Sequence, residues 1–171
     1  MSDKNLVSRL FEAGSHFGFK KARRHPTVTP FLYTTKEGSD VIDLAKTSES
    51  LVAAKDVLKE AGSMGKVVLF VGTKDEVAKI VKAAAEKAEV PYVTNRWIGG
   101  MLTNWSEMKK RINRLETLTN EKTTGELDRK YTKKERVVIG REATKLEFNF
   151  FGISKMTKMP DLMVVVDPRH D

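Results

Sequence analysis

VVLFV, residues 67–71, is five apolar residues in a row, followed at once by the Gly72-Thr73-Lys74 turn and a helical apolar period over residues 75–88. A strand without polar alternation is apolar on both faces, the mark of a parallel strand covered by helices rather than a half-solvated antiparallel one. Two other pieces share this character: residues 91–94 start a short strand, and LMVVVD, residues 162–167, reads as a third buried one. Upstream, Leu51, Ala54, Leu58 and Ala61 form one apolar stripe of a helix capped by Thr47 or Ser48 and ended by Gly62 and Gly65. Apolar strands separated by amphipathic helices predict an α/β fold with a doubly wound, mainly parallel sheet, Rossmann- or flavodoxin-like. Such a sheet normally runs on past a core strand, so an end at Asp171 suggests a shortened chain or a piece of a longer one.

Residues 104–151 follow another rhythm. Trp105, Met108, Ile112 and Leu115 are spaced by three, four and three, and Ile139, Ala143, Leu146 and Phe150 by four, three and four. Two such seams predict an inserted antiparallel coiled-coil hairpin, each helix roughly 25 Å long. Its connection runs through residues 120–131 and contains Gly125, and Thr132 with Glu135 forms a capping box for the second helix. The globular domain is then residues 1–103 with 152–171, and its first 30 or so residues include a basic arm.

That arm begins after a short amphipathic helix carrying Leu6, Val7, Leu10 and Phe11, which ends near Gly14. Lys20, Lys21, Arg23, Arg24 and His25 lead into Pro26 and Pro30, which disfavour regular structure, so the stretch reads as extended. Phe31 to Tyr33 and Val41 to Leu44, separated by Glu37, Gly38 and Ser39, read as a hairpin.

Charge is distributed unevenly. Residues 1–25 carry six Lys or Arg against two Asp or Glu, and residues 104–151 carry twelve against eight. Residues 26–103 hold ten of each sign and 152–171 three of each, so the whole excess of +8 lies in two segments. Segregation of this kind is the footprint of a surface that docks on a polyanion. Cysteine is absent, which removes disulfides and thiolate metal sites and suits a reducing compartment, the cytoplasm. No run of about 18 apolar residues and no leader-like start appears, so no membrane partner is expected.

Catalytic signatures are missing. The Gly72-Thr73-Lys74 turn has neither the Walker A nor the dinucleotide-fold spacing, and it reads as a tight strand-to-helix connection. His16, His25 and His170 are scattered, so neither a metal nor another cofactor is expected. RNA fits better. Arg pairs bidentately with phosphate and aromatics stack on unpaired bases, and the arm offers Lys20, Lys21, Arg23, Arg24 and His25 near Phe17 and Phe19, although both rings read better as core. The hairpin adds Lys109, Lys110, Arg111 and Arg114 away from the first seam, and Lys133 and Lys134 at the start of the second helix. A small phosphate- or nucleotide-handling α/β enzyme using Gly72 and Thr73 is the alternative, with a small-molecule substrate that the preferred reading lacks.

RWIGGMLTNW, residues 96–105, resembles a hallmark of the small-subunit ribosomal protein S2 family in its bacterial or organellar form. It is joined in order by AGSHFG (13–18), HPTVTPFLY (25–33), IDLAKT (42–47), LFVGTK (69–74), YTKKE (131–135) and PDLMVVVDPRHD (160–171). The resemblance implies a non-catalytic doubly wound domain with a protruding coiled-coil hairpin, seated between head and body of the small subunit of a cytoplasmic ribosome. Implied partners are small-subunit rRNA, neighbouring ribosomal proteins and the large mRNA-binding protein S-one. Within the hallmark, Gly99 and Gly100 turn the chain from strand to hairpin, Arg96 reaches rRNA from that corner, and Trp97 wedges hairpin against domain. Phe19 departs from the pattern, because members commonly carry a second His there.

Overall fold

The structure, a computed structural model, describes residues 3–168; His170 lies outside the described residues. The chain divides into two compact units, residues 1–60 and 61–171. In the first, α1 (Asp3–Glu12) leads to β1 (Phe17–Lys20), two 3-10 turns (Lys21–Arg23 and Pro26–Phe31), β2 (Leu32–Lys36), β3 (Ser39–Ile42) and α2 (Leu44–Ser63). α1 stops as its glycine suggests, with Gly14 at φ 71° and Ser15 N–H donating to Leu10 O at 3.0 Å.

β2 and β3 form the expected hairpin, closed by Glu37 and Gly38, both at positive φ. The basic stretch corrects the expectation of an extended arm. β1 pairs antiparallel with the other edge of β3, giving the order β1-β3-β2, and the following residues coil into 3-10 turns. Gly18 makes this possible, because a Cβ there would meet Asp40 O at 2.9 Å. Pro26 starts the second turn, where its fixed φ suits a helical first residue and its missing N–H costs nothing. The cap of α2 also differs from the expectation. Asp43 Oδ1 accepts from Ala45 N–H at 2.9 Å, while Thr47 Oγ1 donates back to Asp43 O and Ser48 is buried. Of the predicted stripe on α2, Ala61 is buried and Leu58 half-buried, but Leu51 and Ala54 are exposed.

The second unit runs β4 (Val68–Val71), α3 (Asp75–Lys87), β5 (Tyr92–Val93), α4 (Trp105–Thr123), α5 (Glu126–Lys130), α6 (Lys133–Phe150), a 3-10 turn (Phe151–Ile153) and β6 (Leu162–Val165). Its strands make a parallel sheet in the order β5-β4-β6, so the VVLFV segment sits at the centre. Gly72 lets α3 close on one face, since a Cβ there would lie 2.9 Å from Val81. On the other face Leu69, Val71 and Val93 join Met108, Ile112, Leu115, Ile139 and Phe150 in one core. β4 begins where Val67 N–H donates to Asp161 Oδ2 at 2.8 Å. LMVVVD departs from the expectation of a buried strand: β6 is an edge strand, its burial alternates, and Met163 and Val165 are exposed.

α4 and α6 pack together along the two seams. Met108, Ile112, Leu115 and Leu118 are buried on α4, and Ile139, Leu146 and Phe150 on α6. The Thr132–Glu135 capping box forms with both of its hydrogen bonds. The connection holds one element that sequence did not suggest, the short α5, introduced by Gly125 at φ 71° and packed on the core through Leu127. Trp97 is half-buried against the same core, and Gly100 turns at φ 87°.

Candidate nucleic-acid interface

In the first unit, β1 and the turn after it hold Lys20, Lys21 and Arg23 in the open, and none has an ion pair among the described residues. Arg24 is used differently. Its Nη1 lies 3.3 Å from Oδ1 of Asp40, which is only 3% exposed and also accepts from Thr35 Oγ1 at 2.8 Å. A buried carboxylate needs such partners, so Arg24 is a counter-ion of the fold rather than a free cation. His25 is exposed and caps the Pro26–Phe31 turn, its Nδ1 2.7 Å from Thr27 Oγ1. The expectation that Phe17 and Phe19 are core residues fails: they are 76% and 61% exposed, because β1 is an edge strand. Lys36, which sequence did not single out, stands opposite Ser39 from one side while Lys20 stands opposite it from the other.

In the second unit, Lys109 and Arg111 are exposed on α4 without an ion pair among the described residues. Lys110 pairs with Glu107 one turn back. Arg114 reaches across to α6, with Nε and Nη2 at 3.2 and 3.3 Å from the two carboxylate oxygens of Glu142. That bidentate bond raises the guanidinium pKa further and commits Arg114 to fastening the helices together. Lys133 and Lys134 are exposed and have no ion pair among the described residues in the first turn of α6, where the positive end of the helix dipole disfavours cations. Arg96, beyond β5, is exposed and has no ion pair among the described residues. Arg141 and Lys145 were missed; both are exposed, and their spacing of seven and eleven from Lys134 puts the three on one stripe of α6. The spacing of seven and eleven is the signal in the sequence that marks them.

The capping box sets how α6 begins and gives it a pH dependence. Glu135 is held below the usual carboxylate range, first by the Thr132 backbone N–H and then by the Thr132 hydroxyl. A depressed folded pKa stabilises above the unfolded value and loses that contribution as pH falls through the folded one. The difference in thermal midpoint between the wild type and Glu135→Gln is therefore expected at neutral pH and should shrink below about pH 4.

The Gly72 turn is less suited to a phosphate. Lys74 Nζ, the cation such a ligand would need, lies 3.0 Å from Asp167 Oδ2.

Comparison with known proteins agrees with the motif reading. The family model described as Ribosomal protein S2 matches residues 10–171. "Small ribosomal subunit protein uS2c" of Porphyra purpurea is 42% identical over 165 residues, covering 96% of this chain and 68% of that protein. Its counterpart in Rhodomonas salina is 41% identical with the same coverage. "Small ribosomal subunit protein uS2" of Picosynechococcus is 40% identical over 96% of this chain and 64% of that protein. The chain thus spans about two thirds of the length of these curated relatives. With a family match from residue 10 to residue 171, relatives at about 40% identity and the 96–105 hallmark in place, the chain belongs to the ribosomal protein S2 family, of bacterial and organellar type.

Proposed function

We propose that this chain is a structural, non-catalytic constituent of the small ribosomal subunit that binds rRNA between head and body. One observation carries the reading: Lys20, Lys21, Arg23, Arg96, Lys109, Arg111, Lys133 and Lys134 are all exposed and free of ion pairs among the described residues. Cations left without internal partners suit phosphate neutralisation, with RNA shape rather than base sequence as the main readout. Arg24 and His25 in the first unit, and Lys110 and Arg114 in the second, hold the local scaffold of their own unit and reach phosphate only as secondary contacts.

In this reading residues 104–151 are an insertion into a doubly wound domain made of 1–103 and 152–171, and α4 and α6 act as an antiparallel coiled-coil arm. Partners are the small-subunit rRNA, adjoining ribosomal proteins and, through them or directly, the mRNA-binding protein S-one; the setting is a cytoplasmic ribosome. The relatives named uS2 and uS2c are small-subunit proteins by name, which supports the same role here. Sedimentation of cell extract tests it: the chain should co-migrate with free small subunits, and a stable monomer at the top of the gradient would overturn the proposal.

A further inference from the structure

We propose that the β1-β3-β2 sheet carries a stacking platform for unpaired nucleotides, an inference that rests on the rRNA-binding reading and narrows it to single-stranded RNA at this surface. Phe17 of β1 and Thr34 of β2 stand opposite Val41 of β3, one on each side. The register shifts between Leu32 and Thr34, which makes Tyr33 the extra residue of a bulge beside Thr34. Bulges re-aim side chains, and Tyr33 is 78% exposed, as Phe17 is 76% exposed. Phe31, half exposed, ends the 3-10 turn just before β2.

Phe17 touches the His16 ring, centroids 4.1 Å apart, yet keeps most of its area in water as Tyr33 does. Aromatic residues usually bury most of their area, so two such rings at opposite edges of one small sheet mark an interaction surface. Charge around them selects the occupant. Lys20 and Lys36 flank Ser39, two residues along β3 from Val41 and therefore on the same face as Phe17, and Lys21 and Arg23 follow directly. Asp40, the central carboxylate of the sheet, is buried under Arg24 and Thr35 and offers no competing charge. Flat rings among cations that have no ion pair among the described residues complement a chain that presents phosphates and open base faces together. A duplex hides its base faces, whereas an unpaired segment can lay them on the rings. β1 and β2 lie about 10 Å apart across β3, room for a base on each ring without crowding.

The test uses the full chain and an unstructured oligoribonucleotide of about a dozen residues containing 2-aminopurine, whose fluorescence is quenched by stacking. Wild-type protein should quench it, and Phe17→Leu and Tyr33→Leu should each weaken binding by roughly 5- to 100-fold while leaving the slope of log affinity against log salt unchanged. Phe17→Tyr keeps a ring and should retain binding, which separates a lost stack from a lost fold. The proposal is overturned by binding without quenching, by unchanged affinity in both Leu variants, by equal affinity for a duplex of the same sequence, or by self-association that Phe17→Leu abolishes. In each of those cases co-migration with small subunits would persist and the wider rRNA reading would stand. Loss of co-migration by the wild type would instead strike that wider reading.

Discussion

Exchanging Lys109, Arg111, Lys133 and Lys134 together for glutamine should flatten the salt dependence of rRNA binding by about four units of slope and cost about three orders of magnitude in affinity near physiological salt. Each cation that neutralises a phosphate releases roughly one counter-ion, so the slope counts contacts directly. These four are suitable because they are exposed and have no ion pair among the described residues, and glutamine keeps the helices' length and propensity. Arg114→Gln is the internal control. Its guanidinium is already engaged by Glu142, and with the pair about 42% exposed its loss should cost under about 1 kcal/mol of stability and hardly change the slope. Titrations of a small-subunit rRNA fragment at several salt concentrations decide the matter. An unchanged slope in the fourfold variant would remove the helix pair from the RNA interface.

Gly152→Ala should destabilise the fold by about 3 kcal/mol or more, well beyond an ordinary surface substitution. A Cβ at residue 152 would collide with Tyr92 O and lie 2.7 Å from the Tyr92 ring, and the first of these is backbone that cannot rotate away. The 3-10 turn after α6 and strand β5 would have to separate, opening the core around Ile153, Val93 and Phe150. Gly140→Ala makes the opposite case in the same region. It lies mid-helix in α6 with nothing within 4 Å of the new methyl, so the substitution should stabilise by up to about 1 kcal/mol. Urea unfolding of both variants measures the contrast; a Gly152→Ala protein as stable as the wild type would mean that β5 and the turn are less closely packed than described.

What sequence could disclose followed the range of the interactions. The central strand, the two helical seams and the capping box all rest on spacing within a few residues, and they were legible. Gly18, Asp40 and Arg24 were not, because the close approach of β1 to β3 is a long-range event that lets a strand form where prolines and cations suggested an extended arm. Asp43 outcompeted Thr47 and Ser48 as the cap of α2 because it sits immediately before the first turn and accepts two backbone N–H groups. For the candidate site, composition gave the two basic segments, but pairing sorted them. Arg24 and Arg114 look like their neighbours in the sequence and differ only in facing Asp40 and Glu142 across space. The exposure of Phe17 and Phe19 was not legible either, because large apolar side chains are usually buried and only the strand order, which puts β1 at the edge of its sheet, leaves these two uncovered.

Two lysines side by side in the opening turn of α6 work against the helix they begin, since like charge meets the unsatisfied amides of that end. An anion seated there would relieve the repulsion, and by mass action whatever prefers the folded form also holds it folded. On the rRNA-binding reading, seating on RNA would thereby add to the stability of α6 as well as hold the chain in place.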